Sequence, residues 1–213
     1  PDSRRLDLED ARLTDNARIV YPVSHLPGAL REGRCGYPAN LFMLTRDPYG
    51  VLPPIARLTH EQALFALLSS YTPELAEADP EVRVARVLHS ACFGACPLML
   101  HPGEYAQLFW NRIQKHDVRC WLLNTGWAGE PRGRGERVPL EVSRTLVHAA
   151  LNGSLDDVEV RVDPVFQFEI PASCPGLEAH LLDPRLLASD EGEYEVRANR
   201  LATDFLQDFD QFI

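Results

Sequence analysis

Lysine is nearly missing from this chain: Lys115 stands alone among 21 basic residues, and all the others are arginine. A phosphate-binding loop of the GxxxxGK[ST] type needs a lysine ammonium at the β- and γ-phosphates. Lys115 sits in Asn111-Arg112-Ile113-Gln114-Lys115-His116 with no glycine ahead of it, so the chain holds no such loop. Long apolar runs are missing as well. No stretch approaches the about 18 apolar residues of a membrane span, and Pro1-Asp2-Ser3-Arg4-Arg5 has no secretory apolar region. A basic excess is also absent: the formal net charge of −10 argues against nucleic acid and anionic membranes as partners, both of which need a positive footprint. The five cysteines, at 35, 92, 96, 120 and 174, are odd in number and lie mostly in apolar stretches. That usage fits reduced, buried thiols and a cytoplasmic protein, not a disulfide framework. A chain that opens on proline instead of methionine is expected to be processed, trimmed or cut from a longer one.

What is present is a strand that empties into glycines and arginines. Cys120-Trp121-Leu122-Leu123 leads into Asn124-Thr125-Gly126-Trp127-Ala128-Gly129 and then Pro131-Arg132-Gly133-Arg134-Gly135-Glu136-Arg137, ahead of a helical pattern from about Leu140. Glycines let a backbone approach phosphate oxygens, arginines offer forked donors, and a helix start adds partial positive charge, so the segment suits an anionic ligand. Taken on composition alone, it reads more readily as a solvated surface loop whose arginines keep it soluble.

Apolar runs bounded by turn residues predict strands at Arg18–Val23, Leu41–Thr45, Val84–Leu88, Val118–Asn124 and Val158–Ile170. Thr59-His60-Glu61-Gln62 is a capping-box pattern ahead of Ala63–Leu68, and Pro102–His116 carries Tyr105, Leu108, Phe109 and Ile113 at helical spacing. A third helix is expected from about Leu140 to Leu151, stopping at Asn152-Gly153. A fourth, Glu193–Phe212, places Leu201, Phe205, Leu206, Phe209 and Phe212 on one face, to pack on the body of the domain. The acidic stretches Glu74–Glu81 and Asp190–Glu195 read as loops. Strands and helices without strict alternation give an α/β fold with a mixed α+β sheet, and residues 1–213 read as a single domain or sub-domain.

Several segments, in order, resemble one family. Leu13-Thr14-Asp15-Asn16-Ala17-Arg18 with Tyr21-Pro22 looks like T-x-N-T-R followed by Y-P. Phe42-Met43-Leu44-Thr45-Arg46-Asp47-Pro48-Tyr49-Gly50-Val51-Leu52-Pro53-Pro54 looks like F-L-T-x-D-x-x-G-V-L-P-P, and Arg57-Leu58-Thr59 continues it as R-L-T. Ser90-Ala91-Cys92-Phe93-Gly94 repeats S-A-C-F-G, and Leu123-Asn124-Thr125-Gly126-Trp127 stands for V-N-T-G-W. Glu136-Arg137-Val138 and Ser143-Arg144 occupy the places of K-R-I and T-R, and Asp163-Pro164-Val165-Phe166, Cys174-Pro175-Gly176 and Asp183-Pro184-Arg185 complete the series. These motifs are similar to those of the ATP-dependent phosphoenolpyruvate carboxykinases, in their C-terminal part.

The resemblance implies the nucleotide-binding C-terminal domain of that fold, without the N-terminal domain and the phosphate-binding loop. It implies the conversion of oxaloacetate and ATP to phosphoenolpyruvate, ADP and carbon dioxide, a step of gluconeogenesis. Arg18 matches an arginine at the terminal phosphate, where a guanidinium neutralises the transferring group. Arg137 and Val138 match the residues that sandwich and contact the adenine, and Ser143 matches a threonine near the base; a planar arginine stacks on a purine as readily as it binds phosphate. ATP is the implied nucleotide. Magnesium or manganese is expected only with the N-terminal portion, the implied partner, because the family's glycine-loop lysine, its metal-coordinating lysine, histidine and aspartate, and its oxaloacetate-binding arginine belong to upstream segments. The chain alone is expected to be inactive.

Departures stand beside the matches. The family's S-G-Y-T-x-K becomes Ser69-Ser70-Tyr71-Thr72-Pro73-Glu74, its G-T-E becomes Glu77-Ala78-Asp79, Glu136 replaces a lysine beside Arg137, and Pro139 replaces a helix-capping serine. They motivate the alternative of a free-standing, diverged, non-catalytic binding or regulatory module. Cys92 and Cys96, four apart, lack the partners of a zinc site and read as buried thiols. His101-Pro102 reads as a helix start.

Overall fold

The computed structural model describes residues 20–69, 71–74, 86–89, 91–94 and 99–212. The chain divides into two units, Pro1–Tyr37 and Pro38–Ile213. In the first, the expected strand Arg18–Val23 is not formed over its described part: Val20 to Pro22 are irregular and Val23–His25 make a single 3-10 turn. Proline accounts for it. Pro22 has no N–H for a ladder, and its carbonyl instead accepts from His25 N at 2.9 Å, closing the turn. Arg18 lies outside the described residues.

The second unit is built on a five-stranded mixed sheet in the order β1-β5-β2-β7-β6. Its strands are β1 (Asn40–Thr45), β2 (Ile55–Leu58), β5 (Arg119–Asn124), β6 (Val160–Val162) and β7 (Glu169–Pro171). β1 and β5 run parallel with Asn40 opposite Arg119 and Thr45 opposite Asn124, while β2 pairs antiparallel with β5 and with β7. A separate pair, β3 (Tyr71–Glu74) and β4 (Arg86–His89), is antiparallel. The second strand expectation therefore holds as β1, and the run to Asn124 holds as β5.

Both faces of this sheet are covered, which explains why β5 reads as an unbroken apolar run and not as an alternation. Cys120 and Leu122 join one core cluster with Met43, Leu58, Ile113, Tyr194, Leu201 and Phe205. Trp121 and Leu123 join the other, with Ile55, Leu146, Ala150, Ile170 and Leu182. Helices α1 (His60–Leu68), α2 (Pro102–Lys115) and α5 (Glu191–Phe209) supply the first, and α3 (Leu140–Leu151) the second; a single turn, α4 (Pro184–Leu187), precedes α5. Burial of Cys120 pushes its thiol up to about 11.

The helix starts follow their sequence signals. Thr59 Oγ1 accepts from Gln62 N at 3.2 Å while Gln62 Oε1 accepts from Thr59 N at 2.9 Å, a complete capping box on α1. His101 Nδ1 accepts from Gly103 N at 3.2 Å ahead of α2. α3 ends before Gly153, whose φ of +81° closes the terminus.

Three further expectations are corrected. Val158–Ile170 is not one strand but the hairpin β6–β7, because Asp163 Oδ1 accepts from Val165 N at 2.9 Å and Phe166 N at 2.6 Å and turns the chain. Asp190–Glu195 is not a loop: Asp190 accepts from Glu193 N at 2.9 Å as the N-cap of α5, and the acids sit at the positive end of its dipole. The expected face of the last helix holds at Leu201, Phe205 and Phe209, whose ring centre lies 4.9 Å from that of Phe65, with Tyr194 and Ala198 extending it; the correction is at Leu206, which is exposed. Among the thiols, Cys120 and Cys174 are buried, Cys92 is half-buried and Cys35 is exposed; Cys96 lies outside the described residues.

Candidate functional site

The sheet delivers two loops side by side. β1 and β5 are parallel neighbours, so the segments that follow them leave at the same end, and backbone bonds continue the ladder past the strands. Thr125 N donates to Thr45 O at 2.8 Å, Trp127 N to Asp47 O at 2.9 Å, Gly129 N to Gly50 O at 2.7 Å and Arg132 N to Pro48 O at 2.8 Å. Gly126 lies so close to the Asp47 backbone that a side-chain carbon there would overlap it, which is the physical reason for that glycine.

Two buried polar side chains fix the crossing. Asn124 Oδ1 accepts from Asp47 N at 3.1 Å and Gly126 N at 2.8 Å, and its Nδ2 donates to Leu52 O at 2.9 Å and Trp127 O at 2.7 Å. Asp47 receives Tyr49 N at 2.8 Å on one oxygen, and Val51 N at 2.6 Å and Leu52 N at 2.8 Å on the other. Both residues are fully buried and every oxygen named is satisfied, as an interior polar group requires. Neither was singled out from the sequence, although each stands in a motif that was; the signal was an asparagine at a strand end and an aspartate before Pro48.

Beyond Gly126 the loop folds back as a narrow hairpin. Trp127 bridges to Arg137, Val138 N donates to Gly126 O at 2.7 Å, and the Trp127 indole donates to Gly135 O at 3.1 Å. The guanidinium groups of Arg46 and Arg132 lie 5.7 and 5.9 Å from the Trp127 ring centre. Arg137 Nε donates to Thr125 O at 2.5 Å, which holds the side chain along the loop while its guanidinium plane remains exposed.

Arg137 and Val138 then meet the first turn of α3 around a concavity of about 310 Å³. Pro54, Ala128, Pro139, Val142, Leu181 and Leu187 supply its apolar wall, and Glu130, Glu136 and Arg137 its polar groups. That volume lies at the low end of the about 300–1,000 Å³ typical of ligand sites. Two carboxylates against one guanidinium make the lining unsuited to a polyphosphate, whereas apolar walls beside an exposed guanidinium plane suit a flat heteroaromatic ring. α3 starts here without a side-chain cap, Pro139 standing at its N-cap position.

The structure therefore brings Arg137 and Val138 of the expected base-binding set together. Ser143 is placed differently: it is buried one residue beyond the lining residue Val142, and its hydroxyl reaches back to Pro139 O at 3.5 Å. Arg18 lies outside the described residues. Among the described residues no three His, Cys, Asp or Glu side chains gather as a metal ion would need, and no helix is long and apolar enough to cross a membrane.

Glu130 is a wall residue that sequence reading missed. Its Oε1 accepts from Ser189 N at 2.8 Å and from Ser189 Oγ at 2.6 Å, and its Oε2 lies 3.3 Å from Arg134 Nε. The two Ser189 bonds, with Arg134 and Arg197 adding, hold its carboxyl below the usual carboxylate range against a smaller opposing effect of burial. A lowered folded-state pKa means that the stabilisation is present above the unfolded glutamate value of about 4.3 and fades as pH falls through the lower folded value. The melting difference between wild type and Glu130→Gln is thus expected to be constant from pH 7 down to about 5 and to shrink below about 4. Calorimetric melts across that range would show a pH-independent difference if the charge has no role.

A family profile for phosphoenolpyruvate carboxykinase matches residues 1–180. The phosphoenolpyruvate carboxykinase (ATP) of Thermus thermophilus is 45% identical over 212 residues, covering 100% of this chain and 40% of its own length. That of Geobacter sp. (strain M21) is 46% identical over 210 residues, and that of Pelobacter propionicus 44% identical over 210, each match covering 99% of this chain and 40% of the relative. The chain spans about 40% of the length of these curated relatives. With 180 of its 213 residues inside the profile and near-complete coverage at these identities, the chain belongs to the ATP-dependent phosphoenolpyruvate carboxykinase family and matches a C-terminal portion of it.

Proposed function

We propose that this chain is the part of an ATP-dependent phosphoenolpyruvate carboxykinase that holds the nucleotide base, acting with an N-terminal portion in the conversion of oxaloacetate and ATP to phosphoenolpyruvate, ADP and carbon dioxide. The observation that carries the reading is the concavity in which Arg137, tied to Thr125 O, stands beside Val138 and the first turn of α3. In that reading the adenine lies against the Arg137 guanidinium and the apolar wall. The family resemblance gives Arg18 the role of neutralising the terminal phosphate, and Ser143 supports the first turn of α3 from behind. Magnesium or manganese enters with the N-terminal portion and supplies charge neutralisation at the phosphates. The proposed compartment is the cytoplasm.

The chemistry asked of the whole enzyme is simple to balance. Loss of carbon dioxide from oxaloacetate leaves its electron pair as an enolate, and the enolate oxygen bonds to the terminal phosphorus as the bond to ADP breaks. This chain's own residues bind and orient the donor; the upstream portion must position the acceptor.

Calorimetric titration of MgATP into the chain combined with its N-terminal portion is expected to give a dissociation constant between micromolar and millimolar. Arg137→Ala is expected to weaken it about tenfold, the loss of one ring-stacked cation. Wild type that binds no MgATP in that mixture would overturn the reading. The Glu136 carboxylate in the wall, where the family carries lysine, favours the second reading of a diverged binding module, for which that null titration is the expected result.

A further inference from the structure

We infer that the start of α5 is a brace that sets the shape of the ligand loop, with Arg197 as the positioning residue at its centre. One guanidinium joins both loops: Arg197 Nε donates to Tyr49 O at 3.2 Å, and Nη2 donates to Gly129 O at 2.8 Å. The group itself is held over the Tyr194 ring, 6.0 Å from its centre, with Nη1 3.8 Å from Glu193 Oε2. Tyr194 in turn donates its hydroxyl to Val51 O at 2.9 Å. Successive turns of one helix therefore grip the segment after β1 and the segment after β5 at the same level.

A second strut runs along the surface. Ser189 takes Glu130, and Arg134 Nη1 lies 2.7 Å from Glu193 Oε2, so the far side of the hairpin is tied to the same helix start. The two struts differ in weight. Arg134 and Glu193 side chains are each 53% exposed, and an exposed pair is screened and contributes little. The Arg197 side chain is 17% exposed and satisfies two backbone carbonyls, one of them on Gly129, a glycine with positive φ.

Why a brace is needed follows from the loop's own composition. Gly126, Gly129, Gly133 and Gly135 leave the hairpin free to adopt many shapes, and ordering glycine costs more conformational entropy than ordering other residues. The carbonyl of Gly129 adjoins Glu130, and Leu187, just ahead of Ser189, lies in the cavity wall with Glu130. Fixing Gly129 from α5 therefore fixes the width of the site. The bearing on nucleotide rests on the proposed function; the bracing itself does not.

The test compares wild type with Arg197→Lys and Arg197→Met by amide exchange and mass spectrometry, alongside MgATP titration of each with the N-terminal portion. Lysine keeps the charge and the apolar stem but cannot span two carbonyls, and it carries the test should the methionine variant fail to fold. The expected result is exchange faster by about tenfold or more across Gly129–Gly135, with β5 and α3 unchanged and MgATP affinity reduced to match. Faster exchange spread over the whole chain, or no change in the loop, would overturn the brace. A local loosening with no MgATP binding even in wild type would support the brace and count against the nucleotide reading.

Discussion

Asn124→Ala is expected to cost on the order of 4 kcal/mol of folding free energy. The amide answers two backbone donors and two backbone carbonyls from both loops, and it is fully buried. Alanine leaves all of these groups facing one another in a dry space, and each buried orphan costs about 1–3 kcal/mol. Some relaxation will recover part of that sum. Asn124→Asp is the sharper variant: it keeps size and one oxygen, but turns the donor that faces Leu52 O and Trp127 O into an acceptor, so it is expected to be no milder than alanine at pH 7. Urea unfolding of the two variants decides. A loss below about 1 kcal/mol for alanine would mean that water replaces the amide and that Asn124 is not the hub of the crossing.

Arg18→Ala is expected to lower turnover about a thousandfold in the chain recombined with its N-terminal portion, while changing MgATP affinity much less. A guanidinium at the terminal phosphate meets negative charge that grows as the phosphoryl group moves, so its contribution falls mainly on kcat and not on KM. Arg137→Ala should show the opposite split, since the base does not change during transfer. Equal losses in kcat for the two variants would place Arg18 in binding and remove it from the transfer step. A mixture of wild-type portions that never turns over would count against the assignment of the whole reaction.

Much of what positions the site was legible locally. The capping box at Thr59, the helix stop at Asn152-Gly153 and the apolar run to Asn124 each depend on residues within a few positions of one another, and each was formed as expected. β2 was missed: it is only Ile55–Leu58, follows Pro53-Pro54 and is buried on both faces, so it shows neither length nor alternation. The break in Val158–Ile170 was missed because one aspartate carboxylate outweighed an apolar pattern. Arg137, Val138 and Ser143 were named through the family resemblance; the fold lines the concavity with Arg137 and Val138, while helix periodicity turns Ser143 into the core and leaves Val142 at the wall. The contacts of Arg197 lie 148 and 68 residues away in the chain, a distance at which no local pattern carries a signal.

The pairing of β1 with β5 also governs the order in which the site can be assembled. Its defining contacts join residues near 47 to residues near 126, with β2 and α1 and α2 in between, and loop closure over such a span must precede any of the bonds that reward it. The crossing of the two loops is therefore expected to form late in folding. The hairpin closes its own turn at Pro131 and pairs Val138 N with Gly126 O, but its glycines favour no single shape and its first arm is held by bonds to the segment after β1, so its final form waits for that pairing. Substitutions in the hairpin should consequently leave the folding rate nearly unchanged and show themselves in how fast the finished structure comes apart.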